Sequence, residues 1–170
     1  MKKHVLLAIA LIFGAAFLRL LDHPMNFTPM GAIALFAGAL IPNRILAFSI
    51  PIVALLITDS MLGFYGWQML LPYSGFLITI LLGRLMRDNQ HILRVGSLSV
   101  LSSVLFYLIT NFAFFYPETL YPHTTQGILQ SYIAAIPFFQ NGLAGDLFFN
   151  GLLFGAYYLI RINVPSFKQA

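Results

Sequence analysis

Charged residues are scarce in this chain. Asp, Glu, Lys and Arg make up only 8% of its 170 residues, whereas a soluble globular domain contains about a quarter. Hydrophobic residues make up 59%, and the mean hydropathy is +0.86. A water-soluble domain is therefore excluded. The lipid bilayer is the expected partner of the whole chain, which we interpret as a single transmembrane domain over residues 1–170.

Cysteine is absent, and so are the common catalytic and nucleotide-binding motifs. Without cysteine there can be no disulfide, thiolate metal site or thiol nucleophile. No Gly-x-Gly-x-x-Gly, Walker A, His-Glu-x-x-His or Gly-x-Ser-x-Gly pattern occurs. The basic residues stand singly between apolar stretches rather than on one face. We therefore predict no enzymatic activity, no cofactor and no nucleic-acid partner.

The histidines are few and scattered, at positions 4, 23, 91 and 123. None of them has a partner at the close helical spacing of a metal-binding motif. Solvated histidines and no metal site are predicted, with a site formed by Asp22, His23 and His123 as the alternative.

Six apolar runs are present, at residues 5–18, 30–41, 45–62, 69–86, 95–116 and 142–160. A helix needs about 20 apolar residues to cross a bilayer, so the chain has room for five or six spans. The first run has the basic start and small residues of a signal peptide, but we predict a retained helix because the rest of the chain is itself membrane protein. The second run, bracketed by Pro29 and Pro42, is only about 18 Å long.

The positive charges decide whether that short run crosses. With six spans and a cytoplasmic N-terminus, eight of the nine Lys and Arg residues lie in the cytoplasm and only Arg19 lies outside. With five spans the bias inverts, or becomes seven against two if the N-terminus is outside. We therefore predict an all-α bundle of six transmembrane helices with both termini in the cytoplasm. The short second helix must be sheltered by its neighbours.

Two carboxylates stand deep in apolar runs. Asp59 follows fourteen apolar-helix residues, and Asp146 lies inside the sixth run. A carboxylate facing hydrocarbon is costly, so we expect both to meet in the outer half of the bundle together with Asn26 or Asn111. Arg19 is the expected structural partner of one of them.

Polar and small residues form stripes on the last two runs. Ser103 and Asn111 lie on one face of the fifth helix. Ser103 is predicted to join helices by hydrogen bonding, whereas Asn111, beside Phe112, is predicted to contact a ligand. Gly151 and Gly155 are predicted to permit close packing on another helix.

The stretch 117–141 is too long for an idle connection in so small a bundle. Its second half keeps helical spacing, which predicts an extra interfacial helix in the outer loop before the last span, ended by Pro137. A lid over a cavity and an interfacial anchor are equally compatible with this pattern.

These features predict a binding pocket in the outer half for a small, partly apolar or planar solute. A positive charge on the solute is an option because the outer mouth is acidic. Such pockets combine apolar walls with a few convergent polar groups. The predicted substrate-binding residues are Asn26, Asp59, Trp67, Asn111, Phe112, Tyr132, Asn141 and Asp146.

Five segments of the chain, taken together, carry a resemblance to a known family. They are Asn26-Phe27-Thr28-Pro29-Met30, Thr58-Asp59-Ser60, Thr110-Asn111-Phe112, Ala134-Ala135-Ile136-Pro137-Phe138-Phe139 and Gly145-Asp146-Leu147. From about residue 24 to 155 the chain resembles a family of small bacterial membrane proteins described as candidate transport proteins.

That family is similar, more distantly, to the substrate-capture (S) components of energy-coupling factor vitamin transporters. Those are six-helix bundles that bind a vitamin near the outer face and dock on a transmembrane coupling subunit driven by ATPases. The resemblance implies a substrate-binding transport protein of the bacterial cytoplasmic (inner) membrane with a vitamin-like solute. S components often dock through Ala-x-x-x-Ala, for which Ala10 and Gly14 are the nearest match here, so a solitary transporter remains open.

A function from another class is the alternative. The protein would then be a non-transporting scaffold or assembly subunit, whose polar stripes only hold helices together. A membrane-embedded enzyme comes third, because the sequence contains no complete catalytic set.

Overall fold

The computed structural model describes residues 3–64 and 66–165, and its long elements are all helices. They are α1 (Lys3–Leu18), α2 (Met30–Leu40), α3 (Arg44–Leu62), α4 (Leu70–Leu85), α5 (Ile92–Thr110) and α6 (Thr125–Asn163). Single helical turns at Gly66–Met69 and Ala113–Phe115 precede α4 and follow α5. Two cytoplasmic charges of the topology prediction, Lys2 and Lys168, lie outside the described residues.

Four helices in the described part of the chain are long and apolar enough to cross a membrane. They are α3, α5, α6 and α4 together with the turn before it. The other two helices, α1 and α2, are apolar but shorter, with 16 and 11 residues. The chain is thus an all-α membrane protein.

The short helix α2 is the centre of the bundle. Nine of its 11 residues are buried, and it packs against each of the other five helices. A helix that is apolar on all sides is stable only when it is surrounded, because every face must be removed from water or matched to lipid. The prediction that neighbours shelter this helix is confirmed.

Glycine allows α2 and α4 to approach closely. A Cβ atom on Gly38 would overlap the backbone carbonyl of Ile80, and one on Gly83 would overlap that of Leu35. Backbone cannot move aside as a flexible side chain can, so both positions require glycine for this contact.

The predicted interfacial helix and the last span are one element. Helix α6 runs continuously for 39 residues, and Pro137 lies inside it. The prediction that Pro137 ends a separate helix is therefore wrong. Proline removes one backbone hydrogen bond, and contacts with neighbouring helices of a bundle can compensate for this loss.

The glycines near the end of α6 do not pack on another helix of the chain. A Cβ atom added to Gly151 or Gly155 would meet nothing within 4 Å, so the predicted close packing is wrong within the described residues. The inward face of this part of α6 is formed by Phe149, Asn150 and Leu153, which are buried. The glycine face therefore points away from the bundle.

Candidate binding cavity

A cavity of about 470 Å³ lies among α2 to α6 and the connection between α1 and α2. This volume falls within the range of roughly 300–1,000 Å³ that is usual for small-molecule sites. Its walls are largely apolar and aromatic, and Arg19, Asp59 and Asp146 supply its formal charges.

The first carboxylate, Asp59, is fully engaged by the protein. Arg19 Nη1 lies 2.6 Å from its Oδ1 atom, and the Tyr73 hydroxyl donates a hydrogen bond of 2.8 Å to its Oδ2 atom. The same Arg19 nitrogen donates to Thr58 Oγ1 at 2.8 Å. Asp59 is only 2% exposed, so the ion pair has little competition from water. This network joins the end of α1 to α3 and α4.

The second carboxylate, Asp146, lies on α6 against the first turn of α2. Ser103 on α5 donates a hydrogen bond of 2.6 Å to its Oδ2 atom, and the backbone amide of Ala32 also donates to the carboxyl group. A Cβ atom on Gly31 would overlap this carboxyl group, so the contact requires glycine. Asp146 thus joins α2, α5 and α6.

The position of Asp146 satisfies an otherwise uncapped helix end. The first amides of a helix have no partner within it, and the residue before α2 is Pro29, which makes no side-chain cap. A carboxylate near these amides also interacts favourably with the positive end of the helix dipole. Asp146 supplies that negative charge from a different helix.

The connection between α1 and α2 brings Asn26 to the cavity. Asn26 has a backbone φ of 64°, in the left-handed region that asparagine tolerates better than most residues. The turn then packs on α6, where a Cβ atom on Gly145 would come within 3.2 Å of the backbone of Phe27 and Thr28. Gly145 immediately precedes Asp146, so the same close contact positions both residues.

Aromatic side chains form much of the wall. The Phe76 and Phe106 rings lie 5.0 Å apart between centroids, and those of Tyr107 and Phe139 lie 4.8 Å apart. Phe138 also lines the cavity. Aromatic rings at these centroid distances attract each other, and this attraction holds the rings in place. The cavity therefore has a preformed apolar surface.

A smaller cavity of about 220 Å³ adjoins the first near Asn111, Tyr116 and Phe138, which line both. The Tyr116 hydroxyl donates a hydrogen bond of 2.6 Å to the backbone carbonyl of Thr110. Burial, together with the nearby Tyr121, raises the pKa of Tyr116 above its usual value. The hydroxyl therefore stays protonated at neutral pH and can keep donating this bond.

Four of the eight predicted binding residues line the larger cavity. They are Asn26, Asp59, Asn111 and Asp146. The Asn111 side-chain amide donates a hydrogen bond of 2.9 Å to the carbonyl of Tyr107. The two carboxylates therefore share one cavity, as expected from the cost of exposing them to lipid.

The other four predicted residues do not line the larger cavity. Trp67 is 58% exposed, and the Phe112 ring stacks on Phe114 at 5.2 Å. The Tyr132 hydroxyl donates to the carbonyl of Leu108, and the Asn141 amide donates to that of Met25, at 2.8 and 3.0 Å. The side chains of Tyr132 and Asn141 are thus used to hold connections between elements.

Many cavity residues were not predicted as ligand contacts, and α4 supplies five of them. Tyr73, Phe76 and Thr79 recur every three residues and so share one face of this helix. That spacing in the sequence could have predicted that these three side chains line the same cavity. Phe106 is harder to predict, because its ring enters the cavity beside Gly75, where a Cβ atom would overlap it.

The alternative metal site is not formed among the described residues, which contain no group of three His, Asp or Glu residues suited to a metal ion. Both ring nitrogens of His23 contact backbone carbonyls, those of Pro24 and Arg19. His123 lies 3.2 Å from the Glu118 carboxylate.

Comparison with known proteins identifies a family. No curated protein and no solved structure matches the chain. One family model does, over residues 1–167, which is nearly the full length. The chain therefore belongs to a family of unknown function, DUF6580.

Proposed function

We propose that this protein is a substrate-binding membrane transport protein for a small, vitamin-like solute. The observation that carries the proposal is the cavity of about 470 Å³, which combines aromatic walls with two carboxylates placed among apolar helices. A scaffold that only holds helices together would gain packing free energy by filling such a space with side chains. The resemblance to S components supports the same function.

The proposal includes six spans in the bacterial cytoplasmic membrane, with both termini in the cytoplasm. The ends of α1 and α3 are joined by the Arg19–Asp59 pair. At the other end of the bundle, Arg84 donates a 3.1 Å hydrogen bond to the carbonyl of Ile41, and Arg94 donates to that of Leu85. This arrangement supports helices of alternating direction, with the arginine-rich end in the cytoplasm.

Ligand-dependent thermal stability of the purified protein tests binding by the cavity. Asn111→Leu removes a cavity amide, and the matched control is Asn163→Leu. Both amides donate a hydrogen bond of 2.9 Å to the carbonyl four residues earlier, but Asn163 lies at the far end of α6. We expect Asn111→Leu to weaken binding of any stabilising solute by about 1–3 kcal/mol, and Asn163→Leu to leave it unchanged.

The scaffold alternative predicts a different result. One observation favours this alternative. The four carboxyl oxygens of Asp59 and Asp146 have donors within the protein or lie against a helix N-terminus. In that case no screened solute stabilises the protein, Asn111→Leu and Asn163→Leu differ only in stability without ligand, and deletion of the protein changes no uptake.

Docking on a coupling subunit is part of the proposal. Ala10 is exposed on α1, and a Cβ atom on Gly14 would meet nothing within 4 Å. Gly96 on α5 is equally open and serves as the control. Gly14→Leu should reduce solute uptake by cells at least about tenfold and leave solute binding by the purified protein unchanged, because it blocks close helix approach. Equal uptake by the Gly14→Leu and Gly96→Leu variants would contradict docking here.

A further inference from the structure

We infer that the cavity takes a solute with one positive charge on an aromatic or apolar body, and that Asp146 is the counter-charge for this solute. The inference rests on the proposed function and names the chemical class of its substrate.

Of the two carboxyl groups around the cavity, only Asp59 has a cationic partner. Arg19 and Asp59 form an ion pair, and the second oxygen of Asp59 is taken by Tyr73. Asp146 receives hydrogen bonds only from neutral groups, the Ser103 hydroxyl and the Ala32 amide. Among the described residues, no Lys, Arg or His side chain lies within ion-pair distance of it. When Asp146 is ionised, the cavity lining therefore carries one negative charge without a cationic partner among the described residues.

Only neutral donors contact the carboxyl group of Asp146, and burial makes its ionised form costly while no cation is near it. The Ser103 hydroxyl supplies one neutral donor to the carboxyl group, at 2.6 Å. The N-terminus of α2 adds the positive end of a helix dipole. These neutral donors stabilise the charge without neutralising it. A cationic group that enters the cavity would therefore gain an ion pair in a site of low dielectric constant.

The aromatic wall suits the same class of solute. Phe76, Phe106 and Tyr107 line the cavity together with Ser103 and Asp146. The faces of such rings attract ammonium groups and also stack on planar solutes. An anionic solute is disfavoured for two reasons. The guanidinium group of Arg19 is already paired with Asp59, and an ionised Asp146 would repel the anion.

Two pairs of probes of nearly equal shape test the charge preference. The cations are tryptamine and 2-phenylethylamine, and their neutral counterparts are tryptophol and 2-phenylethanol. Dissociation constants are measured at pH 7 on the full chain in nonionic detergent. We expect the cation of at least one pair to bind about tenfold or more tightly than its neutral counterpart. A hydrogen bond between the ammonium group and the Asp146 carboxylate is strong enough to give a difference of this size.

Asp146→Asn tests the assigned counter-charge, and Asp22→Asn, at an exposed carboxylate, is the control. The Asp146 variant should lose about tenfold in affinity for the cation and change little toward the neutral probe. The control should change neither. A purely structural role for Asp146 would lower both affinities together.

The results separate the inference from the proposed function. Equal affinities for cation and neutral probe in both pairs, or no saturable binding of either cation, would overturn the inference. If the probes bind equally and Asn111→Leu weakens both, the cavity is still a binding site. If Asp146→Asn does not fold, the comparison on the wild-type protein alone decides.

Discussion

Single residues of the cavity carry both structural and binding roles. The two carboxylates show the contrast, because Asp59 is neutralised by Arg19 whereas Asp146 is not. An ion pair in an apolar bundle contributes little net stability when intact, but loss of one partner leaves a charge without compensation. The two carboxylates should therefore respond differently to substitution.

A double-mutant cycle on Arg19 and Asp59 tests this reasoning. Arg19→Met and Asp59→Leu should each lower the free energy of unfolding by about 3–5 kcal/mol, because each leaves a buried charge unpaired. The double variant should lose much less than the sum. Unfolding of purified protein in detergent measures the three values, and additive losses would show that the pair is not coupled.

At the scale of single elements, hydropathy predicts where helices lie but not how they continue. The bilayer admits only segments that satisfy their own backbone hydrogen bonds, so apolar runs such as 45–62 must be helical. That constraint identified all six helices. It does not tell whether the helix ends at Pro137 or continues through it, because contacts with neighbouring helices decide this.

The contact between α2 and α4 provides a prediction at this scale. Gly83→Ala should destabilise the protein by about 1–3 kcal/mol, because the new methyl group overlaps the carbonyl of Leu35. Gly151→Ala, in open surroundings on α6, should be neutral or stabilising by up to about 1 kcal/mol through helix propensity. Thermal unfolding of both variants measures the difference, and an equal effect at the two sites would contradict the packing argument.

For the molecule as a whole, the order of the helices brings distant residues to one cavity. The cost of placing charge in lipid was sufficient to predict that Asp59 and Asp146 line one cavity, although 87 positions separate them. It could not place Trp67, Tyr132 or Asn141, since these lie where turns and tertiary contacts set the side-chain direction. Charge and burial thus predicted two cavity residues correctly, whereas Trp67, Phe112 and Tyr132, predicted from their aromatic character, do not line the larger cavity.

Orientation in the membrane is testable because the chain has no cysteine of its own. Single cysteines at Gln90, between α4 and α5, and at Glu118, between α5 and α6, should label from opposite sides of the membrane. An impermeant maleimide applied to intact cells should modify Glu118→Cys only. Labelling of Gln90→Cys from outside would contradict six spans with a cytoplasmic N-terminus.

The carboxylate of Asp146 belongs to two structures at once, the cavity and the first turn of α2. Because α2 touches every other helix, a substitution at position 146 that removes the acceptor for the α2 amide should disturb the bundle as well as solute binding, whereas Asp146→Asn keeps an acceptor oxygen. We therefore expect few other side chains to be tolerated at this position. Relatives with other solute preferences should differ in the aromatic wall, at positions such as Phe76, Phe106 and Phe138, where one ring can be exchanged without uncapping the central helix.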